Sequence, residues 1–322
     1  MVMDAALTNA FKASGPGNAT GEREDLSDVI ARIDPSEVPI YSNMRKGSCN
    51  AINTEWLVQE LAAVDTANKQ PEGFEASFDA VTPTVRFNNY TQILARTAVV
   101  SGTMDSVNKA GRNREIAYQR VLKGLEIRRD LDAIISGDFA ADGVDPRGLA
   151  SMKSWITNGS LGATGTFPTG DGTDLGTAGT PRAFNDVAFI DTSMQEAYED
   201  GGNPRIMYMS PAQKVAFSKI PSASIAENRF NMTSVGEAKF IGSADIYLSD
   251  FGKLEVAVDR FMPVDRVYLV DPQYFECCTL PGRNFQTSPL SDTGDSEKHL
   301  VLWEGTIKAS APKAHAIIDD LS

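Results

Sequence analysis

Two stretches of alternating apolar and polar residues, joined by a charged tip and followed by one long charged helix, restrict this chain more than any other feature. From Ala51 to Ala62, Ile52, Thr54, Trp56 and Val58 fall on one face; from Pro83 to Ala95, Val85, Phe87, Thr91 and Ile93 alternate with Arg86, Asn88, Tyr90 and Gln92. A period of two marks a strand. The pair predicts a β-ribbon over residues 49–96, each arm reaching about 40 Å at roughly 3.4 Å per residue. The tip, 63–81, carries Asp65, Lys69, Glu72, Glu75 and Asp79 and little that would build a local core. An isolated two-stranded ribbon is marginal in water. The expected cover is a neighbouring copy of the same chain.

The long helix is predicted from Asn113 to Ser136, a rise of about 36 Å, with Gly137 as its stop. Ile116, Val121, Leu122, Leu125, Ile127, Leu131, Ile134 and Ile135 spread around most of its circumference, interleaved with Arg120, Lys123, Glu126, Arg128, Arg129, Asp130 and Asp132. A helix so apolar and so charged packs on several surfaces at once.

Residues 1–48 read as an arm. Ser14–Gly21 is rich in Gly, Pro and Asn; Glu22–Ile33 has the spacing of a short helix; Pro35 and Pro39 predict an extended path after it. Thr157–Thr180 holds seven glycines and seven threonines, a composition that buries little and predicts a surface excursion. The pattern beyond it is α/β. A helix over Asp186–Asp200 is stopped by Gly201-Gly202, and Arg205–Met209 forms a strand. Ser210-Pro211 supplies an N-cap and first position for a helix through Lys219. Strands follow at Ala244–Leu248, Leu254–Asp259, Arg266–Asp271, Tyr274–Leu280 and His299–Ala309.

At 322 residues the chain can hold one large or two moderate domains. A formal net charge of −13 argues against tight, sequence-reading contact with nucleic acid, which needs clustered Lys and Arg. Three cysteines, Cys49, Cys277 and Cys278, make no disulfide framework and fit a reducing compartment. No apolar run approaches the roughly 20 residues that span a bilayer, and Met1–Lys12 carries no secretory h-region. These features predict synthesis in a cytoplasm and no membrane partner.

The catalytic inventory is thin. His299 and His315 are the two histidines and do not share a metal-ligand spacing. Cys277-Cys278 lies in an apolar strand and reads as packing. There is no nucleophile elbow, Walker loop or dinucleotide fingerprint. Asp138, Asp142 and Asp145 around Gly143 miss the EF-hand pattern. No catalytic, cofactor-binding or metal residue is predicted. Charged residues on the arm and ribbon are better candidates, because complementary pairs set orientation and register between partners. The expected inter-subunit contacts are Arg23, Glu24, Asp25, Trp56, Lys69, Glu72, Glu75, Arg86, Arg112 and Arg114.

Several segments are similar to tailed-bacteriophage major capsid proteins of the Hong-Kong-ninety-seven-type fold. They are Arg23-Glu24-Asp25-Leu26-Ser27-Asp28-Val29-Ile30, Ile33-Asp34-Pro35, Thr54-Glu55-Trp56, Asn89-Tyr90-Thr91-Gln92-Ile93 and Val100-Ser101-Gly102-Thr103. Ala110-Gly111-Arg112, Ala117-Tyr118-Gln119 and Glu126 through Asp130 extend the likeness, which is densest from about residue 20 to 136. The resemblance implies an α+β fold with an N-terminal arm (1–48) and an extended β-ribbon loop (49–96). A peripheral domain (97–139 and 266–304) would carry the long helix as its spine, beside an α/β axial domain (140–265 and 305–322). It implies self-assembly into hexamers and pentamers of an icosahedral shell around packaged double-stranded DNA. Portal and scaffolding proteins are the implied partners, a decoration protein an optional one, and DNA is met only non-specifically. An arm recognisable from near residue 20 leaves no room for a fused scaffolding domain, so the scaffolding protein is expected to be separate or absent. Covalent Lys–Asn crosslinking is not carried over, because Lys69 has no matching acceptor motif.

Two other readings stand beside this one. An encapsulin-like nanocompartment shell would share the fold and need a cargo-peptide groove. A hydrolase with an acidic site in 140–265 would be a compact monomer with perturbed carboxylates in a deep pocket.

Overall fold

The ribbon is shorter than its alternation implies, and the reason lies at one buried threonine. The computed structural model describes residues 35–75, 81, 83–107, 114–220 and 246–322; the predicted helix over Glu22–Ile33 lies outside them. Pro39 does not prolong an extended path. It opens a one-turn helix, α1 (Pro39–Asn43), where its missing N–H costs nothing. After β1 (Arg45–Ser48), β2 (Asn53–Val58) and β3 (Val85–Tyr90) pair antiparallel over six residues, Trp56 opposite Phe87. The chain then breaks at Thr91, and β4 (Gln92–Ser101) leaves the ribbon.

The hinge is written in the motif around Asn89. Its Nδ2 donates to Ile307 O at 2.8 Å, and its Oδ1 accepts from Tyr90 N at 2.9 Å and Ala150 N at 3.0 Å. Thr91 N donates to Ile52 O at 2.9 Å. Gln92 Oε1 accepts from Leu149 N at 3.2 Å. Asn89 and Thr91 are fully buried, and such groups must be hydrogen-bonded to be tolerated there.

A one-turn helix, α2 (Gly102–Ser106), precedes the long α3 (Glu115–Ser136). The first amides of α3 are capped from outside: Asp105 Oδ1 accepts from Glu115 N at 2.9 Å and Ile116 N at 3.4 Å, where a carboxylate also meets the positive end of the helix. Gly137 follows it with extended rather than left-handed backbone. A Cβ there would sit 2.8 Å from the Phe139 ring and 2.9 Å from Ala133 O, so close approach demands the glycine. Ile127, Leu131 and Ile135 face the core, while Val121 stays exposed.

The remaining elements are β5 (Asn158–Ser160), α4 (Ala188–Glu199), β6 (Ile206–Met209), α5 (Pro211–Lys219), β7 (Ile246–Ser249), β8 (Gly252–Val258), β9 (Val267–Val270), β10 (Phe275–Thr279), β11 (Gln286–Pro289), β12 (Ser296–Ala309) and β13 (Ala316–Ile318). Ser210 caps α5 through its hydroxyl, and Pro211 starts it.

Two sheets result. In the five-stranded sheet β12 is central, with β10 and β11 along one side, β4 on the other, and β1 beyond β10. The six-stranded sheet runs β5-β13-β9-β6-β8-β7. β9 belongs to the second sheet, and β12 stays in the first as far as Ala309. The chain therefore crosses between sheets at 271–274 and 310–315, not at 265 and 305 as expected. One apolar cluster gathers Trp56, Leu131, Trp155, Phe275 and Trp303 around the first sheet; another gathers Ile190, Met207, Phe217 and Leu269 on the second.

The Gly/Thr-rich loop is more than a surface excursion. Asp320 Oδ2 accepts from Gly162 N at 2.9 Å and Oδ1 from Gly179 N at 2.8 Å, while Gly159, Gly162, Gly170 and Gly172 are buried. Gly159, at φ 134°, lets β5 pair so closely with β13 that a Cβ would fall 1.9 Å from Ile317 O.

Asn89→Ala would strand the partners of that side chain in the interior, at about 1–3 kcal/mol for each unsatisfied group. Equilibrium urea unfolding should show the loss, and limited proteolysis should cut first near the ribbon base. An unchanged midpoint would mean that the hinge is held elsewhere.

Candidate functional site

The candidate site is a surface, built where the ribbon leaves the body. Its inward face is committed to the chain's own core. Trp56 packs on Trp155 with centroids 5.3 Å apart and donates through Nε1 to Ala309 O at 2.9 Å; Phe87 meets Trp155 edge-on. The outward face has no such support. Leu57 on that face is 65% exposed; Val85, opposite Val58 at the open end of the inward face, is 57% exposed, and beyond the paired residues Leu61 is 98% exposed and Val64 92%. Single exposed apolar residues are ordinary, but a run of them along one projecting element marks an interaction surface. Between the ribbon base and the Gly/Thr-rich loop lies an open cleft of about 350 Å³, lined by Val58, Leu61, Pro83, Phe87, Thr157 and Pro312.

The charged residues expected to contact neighbours divide into three groups. Arg23, Glu24, Asp25 and Arg112 lie outside the described residues. Lys69, Glu72 and Glu75 are exposed at the ribbon tip. The rest have partners inside the chain. Arg86 pairs with Glu55 across the ribbon at 3.3 Å, and Arg114 bridges Asp105 at 3.0 Å and Glu297 at 3.1 Å. The Arg86–Glu55 and Arg114–Glu297 contacts are exposed on both sides and add little stability. Trp56 is 7% exposed and filled by its own core, so in this conformation it offers a neighbour almost no surface.

Sequence reasoning missed the polar groups that fix the platform beneath the ribbon. Glu304, 4% exposed, receives Arg147 at 3.1 Å, Arg283 at 2.5 Å and the Thr91 hydroxyl at 3.5 Å. Where the two sheets meet, the Arg266 guanidinium, 1% exposed, holds Asp138 at 2.6 Å and Asp265 at 2.8 Å, and lies 3.6 Å from Asp319. Lys153 reaches Asp319 at 2.7 Å and Asp138 at 3.2 Å. The Arg266 and Lys153 charges outweigh burial and hold the Asp138 carboxyl below its usual range. The available signal was weak: polar residues at positions whose neighbours alternate inward.

None of this resembles a reaction centre. Among the described residues no group of three or more His, Cys, Asp or Glu could hold a metal ion, and no helix is long and apolar enough to cross a membrane. Burial pushes the Cys277 and Cys278 thiols up to about 12, far from the thiolate a nucleophile needs.

Comparison with known proteins decides what the projecting surface belongs to. The family model described as SU10 major capsid protein matches residues 8–322. The chain belongs to the SU10 major capsid protein family. It is also 25% identical over 337 residues to the major capsid protein of Escherichia phage Phieco32, covering 92% of this chain and 94% of that one. Its fold is shared with the cyanophage A-1(L) capsid (TM-score 0.61, 10% identity, 93% and 97% of the two chains). It is shared also with a chain of the phage G gp27 major capsid and gp26 decoration assembly (0.55, 11%, 95% and 99%). The major capsid protein is a structural component of the virion, forming the phage capsid shell from copies of itself. The α+β capsid architecture that the resemblance implied is the one observed, and the hydrolase and nanocompartment readings give way to the family.

His315 yields a pH prediction for this capsid protein. The imidazole is wholly buried where the chain crosses from β12 to β13. Nδ1 accepts from Asp271 N at 3.1 Å, and the ring stacks on Phe275 at 4.2 Å. Burial lowers its pKa to about 3. A folded value below the unfolded one, about 6.5, means this contribution is intact above the unfolded value and is lost as pH falls towards the folded one. His315→Gln retains an acceptor without titrating. The gap between wild-type and variant unfolding free energies should shift against wild type below about pH 6, by up to about 1.4 kcal/mol per pH unit. Parallel profiles would contradict it.

Proposed function

We propose that this capsid protein works by laying its β-ribbon over an adjacent copy, which covers the apolar side chains the ribbon leaves exposed. On this reading the arm and ribbon reach outward. The five-stranded sheet with α3 as its spine forms the peripheral domain, and the six-stranded sheet forms the axial domain around the capsomer axes. Copies assemble into hexamers and pentamers of an icosahedral shell enclosing double-stranded DNA, with a portal and a separate scaffolding protein, or none. A decoration protein on the outside is a further partner, as accompanies the phage G relative. Subunits are made in the host cytoplasm and function without catalysis.

The observation that carries this is the uncovered apolar surface of the ribbon: Leu57 on the face opposite Trp56, Val85 at the open end of the Trp56 face, and Leu61 and Val64 beyond the paired residues are all exposed, while the ribbon base is anchored by Trp56. Association that buries such a surface stabilises the folded subunit by mass action. The charge of −13 suits an inner wall that repels the packaged genome rather than binding it. Empty shells that retained free DNA at physiological salt would argue against that role for the charge.

Electron microscopy and size-exclusion chromatography test the assembly reading. Wild-type protein should give capsomers or shells, and a stable lone subunit of 34.7 kDa with no particles would overturn it. The double substitution Leu57→Asp, Leu61→Asp changes exposed positions, so intrinsic stability should move by no more than about 0.5 kcal/mol per site. Particle formation should nevertheless fail. Normal shells from this variant would show that the ribbon face is not an interface.

A further inference from the structure

Asp132 and Asp259 come from different parts of the molecule and meet with both residues fully buried. Asp132 lies on the inward face of α3, next to Leu131; Asp259 directly follows β8. Asp132 Oδ1 accepts from Tyr41 N of α1 at 2.7 Å. Asp259 Oδ1 accepts from Phe261 N at 2.9 Å, and its own amide donates to Met209 O at 2.9 Å. The two Oδ2 atoms are buried with no hydrogen-bond partner, and the carboxyl groups lie close enough to influence each other directly.

Two ionised carboxylates have no proton to put between them. Burial raises the pKa of both groups, and the charge of Asp259 raises that of Asp132 further. The Phe261 and Arg260 amides favour charge on Asp259, leaving Asp132 as the group that keeps the proton. The surroundings do not neutralise a second charge. Lys46 of β1 is the nearby cation, itself held by the Tyr41 carbonyl and ring. Arg128 of α3 adds a weaker positive field at Lys46 and Tyr41. Tyr208 of β6 lies in the field of both aspartates and of Glu255 of β8. Among the described residues no third carboxylate, His or Cys completes a metal-binding group. The arrangement suits a shared proton.

We propose that Asp132 and Asp259 form a proton-dependent latch, which clamps α3 and the Tyr41 segment onto the end of β8 while one proton lies between them and releases that seam when the proton leaves. The latch therefore couples the two sheets to the Tyr41 segment, the last part of the residues 1–48 arm. Its sign follows from the raised folded value: the contribution is complete below the ordinary carboxylate range and declines as pH rises above it.

Hydrogen exchange on the full-length protein tests this, read by mass spectrometry on the peptide containing Tyr41 and corrected for the intrinsic pH dependence of exchange. Wild-type protection should fall between about pH 5 and about pH 8, by up to about tenfold per pH unit. Asp132→Asn retains an acceptor for Tyr41 N and donates to Asp259 without titrating, so its protection should stay level across that range. An equal decline in the variant would assign the effect to Lys46 or another group and overturn the latch; a level wild-type profile would also overturn it. If Asp132→Asn does not fold, Asp259→Asn faces the same two outcomes. Wild-type protein alone should show a protonated-carboxyl carbonyl band in difference infrared spectra at neutral pH, and its absence would be equally fatal.

Discussion

Ten successive residue pairs between β4 and β12, from Gln92 opposite Gly305 to Ser101 opposite Ser296, determine the rest of the architecture. Backbone pairing over that length leaves β4 no freedom to continue the ribbon, so the ribbon must end where β4 begins, at Thr91. Asn89 makes this switch tolerable by satisfying backbone groups from three separate segments. The same strand positions the long helix: Arg96 of β4 donates to Asp130 of α3 at 2.6 Å and lies 3.9 Å from Glu126. A surface pair of this kind contributes little energy. The buried face of Ile127, Leu131 and Ile135 supplies most of the attachment, and the arginine helps to choose the register.

The second constraint is the seam between sheets, where Arg266, Lys153, Asp138 and Asp319 are drawn together. Such a network gains little over a well-packed apolar replacement, because each charge has first lost its hydration. Breaking it is costly, since the remaining charges stay buried. It therefore resists alternative placements more than it deepens the overall minimum. For a subunit whose neighbours must find it in one shape, a defined angle between sheets matters more than a little extra stability.

The periodic elements were legible because their signals are local. Ser210-Pro211 announced α5, and the alternation of Trp56 with Val58 announced the inward face of β2. Helix α3 began two residues later than its apolar pattern implied, since its cap is Asp105, a residue outside the helix. Short strands such as β1, β5, β11 and β13 were not legible; their few residues form strands only because a partner strand is already present. The ribbon length was misjudged for a related reason. Alternation continues smoothly through Thr91, and nothing local reports that the next residues pair with a strand some two hundred positions away. The interface residues were hardest. Charge at Arg86 and Arg114 pointed outward in sequence, yet each has an acid from its own chain in reach, whereas the informative positions were apolar ones left uncovered.

That last point bears on why the ribbon is half polar. An element that displayed only Leu57, Leu61, Val64 and Val85 would be an edge inviting indiscriminate association, the usual hazard of exposed strands. The charged tip residues Lys69, Glu72 and Glu75, with the Glu55–Arg86 pair beside Leu57, limit which surfaces can dock. Like charges brought together are repelled, and any salt bridge buried without its partner is penalised. Apolar area supplies the drive to associate and the flanking charges supply the discrimination. The inward anchor of Trp56 on Trp155 holds the base of the ribbon, so a neighbour does not have to order that part from a disordered loop. Part of the conformational entropy of binding is thereby met during folding of the single chain.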